Sequence, residues 1–110
     1  MNSVVNPPED SGTGLTTING VVAASLPVAD RGTAYGHGLF ETMLFSGGAV
    51  PLWQRHSSRL AADAQVLGLS ISKQALDKKL SNFVQLLTEQ SQCSGVIKII
   101  VTAGTGGRGY

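Results

Sequence analysis

The chain contains a single cysteine, Cys93, among its 110 residues. That excludes an intrachain disulfide, leaves no CxxC-type cluster for a structural metal, and fits a reducing compartment. Charge is sparse and balanced, with eight basic and seven acidic residues for a net +1. No broad basic face for nucleic acid or acidic tail follows from that. No apolar run approaches the ~20 residues of a membrane span, and the N-terminus lacks the basic-then-apolar order of a secretory signal. A cytoplasmic protein with neither membrane nor nucleic-acid partner is the expectation. Aromatics are few, 5% of the chain, and a chain of this length builds one core.

Glycine, by contrast, is plentiful, 14 residues, and it is concentrated. Asp30-Arg31-Gly32-Thr33-Ala34-Tyr35-Gly36-His37-Gly38 places three glycines within nine residues, and an apolar run, Leu39-Phe40-Glu41-Thr42-Met43-Leu44-Phe45, follows at once. This reads as a tight bend entering a strand, a place where backbone is approached closely. A cation on the following helix would complete an anion-binding pocket.

Around that bend the chain parses as an α+β domain. Residues 1–14 carry little apolar surface and predict a mobile arm, with the domain proper over 15–110. Leu15–Ile18 and Val21–Ala24 flank Asn19-Gly20, a strong hairpin signal. Leu39–Ser46 is a strand turned back by Gly47-Gly48. Leu52, His56, Leu60, Ala64 and Leu67 recur at helical spacing up to Gly68, which predicts a helix over 52–67. Ser72 caps a second helix with an apolar stripe of Leu76, Leu80, Phe83, Val84 and Leu87. Val96–Thr102 is apolar at nearly every position, which predicts a strand buried on both faces. Together these predict a small antiparallel or mixed sheet with two helices packed on it.

Several residues invite a chemical role. Arg59 sits one residue before a core leucine, so its guanidinium is placed to emerge at the helix–sheet junction, where a planar fork of donors suits a phosphate. His56 shares its side of the helix and reads as a packing residue. Glu41 reads as solvent-facing, and Lys98 as an outward strand residue and not a Schiff-base lysine. Gly104, Gly106 and Gly109 spell a GxGxxG after a strand, but no helix follows to receive a pyrophosphate, so a dinucleotide site is discounted.

Three blocks, Asp30–Thr42, His56-Ser57-Ser58-Arg59-Leu60, and Gly95-Val96-Ile97-Lys98 running to Gly104-Thr105-Gly106-Gly107-Arg108-Gly109-Tyr110, resemble in order and spacing the N-terminal domain of the fold-type IV, pyridoxal-phosphate-dependent class-IV aminotransferase family. The last block leans toward the 4-amino-4-deoxychorismate lyase branch, although Ala103 stands where the family usually has arginine. The resemblance implies that Arg59 binds the cofactor phosphate and that Tyr35, Phe40, Arg108 and Tyr110 face the substrate. It also implies a homodimer with its site at a domain boundary. The family's Schiff-base lysine and pyridine-pairing glutamate belong to a C-terminal domain that this chain lacks, so no catalytic residue is assigned and the chain alone is expected to be inactive. Alternatives are a branched-chain or D-amino-acid transaminase of the same class, and a non-catalytic domain that dimerises or binds a phosphorylated ligand.

Overall fold

The computed structural model of the chain describes residues 3–6, 14–26, 28–32 and 36–104. Its strands are β1 (Ser3–Asn6), β2 (Thr17–Ile18), β3 (Val21–Val22), β4 (Gly38–Ser46) and β5 (Ser94–Thr102); its helices are α1 (Trp53–Val66) and α2 (Lys73–Glu89). The strands form one antiparallel sheet in the order β3-β2-β1-β5-β4, so β4 is an edge. The predicted α+β arrangement is therefore the observed one.

Alternation along the two long strands decides where the helices lie. On β4, Met43 and Phe45 are buried, and on β5, Ile97, Ile99 and Val101 are, all in one core with Leu60, Ala64, Leu76, Leu80, Phe83 and Leu87 of the helices. The intervening residues Phe40, Leu44 and Val96 are exposed. Side chains alternate across a strand, so both helices cover one face, and on the other the described residues bury Thr102 at the end of β5 while leaving Phe40 and Leu44 exposed. This corrects the expectation that β5 is buried on both faces: Lys98 and Ile100, on its second face, are only half-buried.

Helix α1 ends as its sequence requires. Gly68, at φ +75°, lets the Gly68 and Leu69 amides turn back to the carbonyls of Gln65 and Ala64, at 3.0 and 2.8 Å. This pairing satisfies carbonyls that a helix end otherwise leaves open, and it delivers Leu69 into the core. Helix α2 opens on the Ser72 cap, whose hydroxyl accepts from the Ala75 amide at 3.0 Å. Two ties fasten the helices: the Trp53 indole donates to Asp77 at 2.7 Å, and Lys73 to Gln54.

The first hairpin turns at Asn19-Gly20, both at positive φ, but its strands span only Thr17–Ile18 and Val21–Val22. The expected arm over residues 1–14 is corrected at its start. Ser3–Asn6 pairs with β2 on one side and β5 on the other. Composition averaged over fourteen residues hid a four-residue strand that needs only backbone partners on both edges.

Phe83, 2% exposed at the centre of the α2 stripe, is expected to cost about 3–5 kcal/mol when replaced by alanine, as large-to-small core changes do. Val66, 84% exposed, is expected to change stability by less than about 0.5 kcal/mol. Urea unfolding of the two variants checks the assignment, and equal losses would show that the core lies elsewhere.

Candidate functional site

The edge strand β4 brings Arg59 together with Glu41 and His56, residues read from sequence as solvent-facing and as packing. Glu41 points to the helix side of the sheet, and α1 passes over β4. His56 and Arg59, three apart on α1, therefore share the surface above Glu41. Arg59 Nε and Nη2 donate to Glu41 Oε2 and Oε1, each at 2.7 Å, in a two-point fork. His56 Nδ1 lies 2.6 Å from Glu41 Oε1. An ionised carboxylate only accepts, so Nδ1 carries the proton and donates. The 3.4 Å approach of Arg59 Nη2 to the same nitrogen is then a contact between two donors.

This corrects two readings. Glu41 does not face solvent: its side chain is 12% exposed beneath an arginine that is 58% exposed. His56 is not merely packing, because it holds the same carboxylate. The Arg59 bond pulls the Glu41 carboxyl below its ordinary value, burial opposes this, and the His56 bond adds to the lowering. In return Glu41 raises the Arg59 guanidinium above its own already high value.

The geometry leaves a usable surface. A guanidinium has five N–H groups, and Glu41 takes Nε–H and one Nη2–H. The remaining donors lie on the solvent side of a group fixed in orientation from below. Such a fork is suited to phosphate.

Phe40 is adjacent to Glu41 and projects to the other face. It borders a cavity of about 170 Å³ with Leu26, Gly32, Gly36, Gly38 and Ile100. Lys98 Nζ rests 4.4 Å from the centre of the Phe40 ring, a cation–π distance. Arg59 and Phe40 thus flank the edge strand β4 from opposite sides. The bend is anchored to α1 as well: His37 Nε2 donates to the Leu67 carbonyl at 2.9 Å. Tyr35, Arg108 and Tyr110 lie outside the described residues.

Sequence reasoning missed Glu41 as a functional group. The signal was present, since an acid on a strand entering from the bend and a His-x-x-Arg on the next helix pair naturally across a helix–sheet junction.

The family model for amino-transferase class IV matches residues 38–110. Aminodeoxychorismate lyase of Vibrio harveyi is 33% identical over 95 residues, covering 84% of this chain and 33% of that protein. The crystal structure of 4-amino-4-deoxychorismate lyase from Pseudomonas aeruginosa superposes with a TM-score of 0.72 at 42% identity, over 84% of this chain and 32% of that one. A fold IV-transaminase from Curtobacterium pusillum matches with a TM-score of 0.69 at 22% identity, over 98% of this chain and 39% of that one, a likeness of fold. The chain spans about a third of the length of the two lyases.

Because the folded-state value of Glu41 is lowered, its contribution to stability is fully present above the unfolded-state value and is lost as pH falls through the folded one. Melting curves taken from neutral pH down to about pH 3 should show that loss in the parent chain and a smaller one in Glu41→Gln. A carboxyl carbon titration placing Glu41 at or above the ordinary glutamate value would contradict the clamp.

Proposed function

The chain belongs to the class-IV amino-transferase family, and from that premise we propose that it is the N-terminal part of a pyridoxal-phosphate-dependent lyase that converts 4-amino-4-deoxychorismate to 4-aminobenzoate and pyruvate, a step of folate synthesis. The observation that carries the proposal is the outward edge of Arg59, held from below by Glu41 and His56. Its outward N–H donors are suited to charge-assisted, two-point bonds to oxygens of the cofactor phosphate. When bound, pyridoxal phosphate supplies the electron sink for the bond-breaking chemistry.

This chain's residues bind and orient. Arg59 would hold the cofactor phosphate with its outward donors. Phe40 would offer an apolar surface to the cofactor or substrate, and Tyr35, Arg108 and Tyr110 are proposed to meet the substrate, the last two at its carboxylate. The groups that move protons belong to the C-terminal part, and two copies form a cytoplasmic homodimer with the site at the domain boundary. Similarity at 33% and 42% to two lyases, including one solved structure, supports the lyase over a transaminase. Among the described residues no helix is long and apolar enough to cross a membrane.

The test is twofold. Calorimetric titration with pyridoxal phosphate should show binding weakened by about tenfold or more in Arg59→Ala, the effect of losing charge-assisted bonds to the phosphate. Unchanged affinity would remove Arg59 from the cofactor site. The full-length protein should release 4-aminobenzoate from aminodeoxychorismate; amine transfer between amino acids and 2-oxoacids, without that product, would assign it to the transaminases instead.

A further inference from the structure

A second buried carboxylate lies at the other end of the bend. Asp30 is fully buried, which for an acid demands compensating donors. Its Oδ2 accepts from the Gly32 amide at 2.8 Å, and its Oδ1 accepts from the Thr102 hydroxyl at 2.8 Å, across 72 residues of sequence. The Thr102 oxygen in turn accepts from the Gly104 amide at 3.0 Å. These bonds fix the direction of the relay, from the Gly104 amide through the Thr102 hydroxyl to Asp30. Backbone ties run beside it: the Arg31 amide donates to the Gly104 carbonyl at 2.7 Å, and the Ala103 amide to the His37 carbonyl at 3.3 Å.

Packing reinforces the bonding. A Cβ on Gly32 would lie 2.4 Å from the Thr102 methyl, and one on Gly38 would lie 2.8 Å from the Val101 carbonyl oxygen. Both glycines are therefore required by close approach between the bend and the end of β5.

We infer that Asp30 is a positioning residue, which through Thr102 locks Thr102–Gly104 at the end of β5 to Asp30–Gly32 at the start of the bend, so that the chain enters the bend and leaves β5 in one relative geometry. The start of the bend and the residue from which the chain enters its Gly106-Gly107-Arg108 run are joined at one carboxylate. A turn alone would be served by an exposed Asn or Ser; a buried carboxyl shared with a strand on the far side of both helices in sequence does more. The consequence for substrate rests on the lyase reading above, whereas the latch itself does not.

The test uses Thr102→Val, which keeps the shape and removes the hydroxyl, Thr102→Ser, which keeps the hydroxyl, and Asp30→Asn. Amide hydrogen exchange is followed at Arg31, Gly32, Ala103 and Gly104. Thr102→Val and Asp30→Asn should accelerate exchange at these amides together by about tenfold or more, with α1 core amides unchanged and Thr102→Ser close to the parent. Unaltered exchange in Thr102→Val overturns the latch whatever reaction the protein catalyses. In the full-length enzyme, Thr102→Val should raise KM for the carboxylate substrate by about tenfold while kcat and cofactor affinity change less than about threefold. A lowered melting temperature with unchanged KM in the folded protein would reduce Asp30 to a structural role and overturn the positioning claim. Absence of lyase turnover in the parent, with the exchange result as expected, would defeat the proposed function and leave the latch in place.

Discussion

The candidate site depends on one carboxylate placed under one guanidinium. Long arginine side chains on helix surfaces ordinarily sample many rotamers, and holding one in place costs side-chain entropy. Glu41 offsets that cost with a two-point bond from a nearly buried position, and His56 prevents the carboxylate from turning. A group meant only to stabilise the fold would gain little here, because exposed ion pairs contribute little. The asymmetry between a buried acid and an exposed base instead makes sense as orientation: one edge of the fork is occupied permanently and the other is presented.

Edge position gives that orientation its use. A central strand has both backbone edges paired, so a small molecule meets only one of its faces. Strand β4 borders the sheet, and consecutive residues Phe40 and Glu41 serve opposite faces. Arg59, above Glu41, and Phe40 therefore stand on opposite sides of this edge. The bend supplies the approach, its glycines being small where Thr102 and Val101 crowd against them.

Much of this was legible from residue order. The Asn19-Gly20 turn, the Ser72 cap, the Gly68 helix stop and the 3.6-residue stripe of α2 are local signals, each specified within a few positions. Arg59 was legible because its neighbour Leu60 had to be core, which fixed the direction of the arginine stem. What was not legible required long-range pairing. Ser3–Asn6 becomes a strand because β2 and β5 flank it, a fact no window of sequence contains. Glu41 was read as solvated because alternation along β4 assigns it to the helix face only once α1 is seen to cross there. The Asp30–Thr102 bond spans 72 residues, and the isolated sequence of either partner looks like turn and strand-end chemistry.

Glu41 holds Arg59, and the opposite edge of the guanidinium is proposed to receive an anion. A crystal structure of the chain grown with inorganic phosphate in place of cofactor examines both halves at once. A phosphate on the solvent-side donors of Arg59, with both Glu41 bonds retained, is the expected result. A phosphate that displaces Glu41 from the guanidinium, or one that binds away from Arg59, would contradict it.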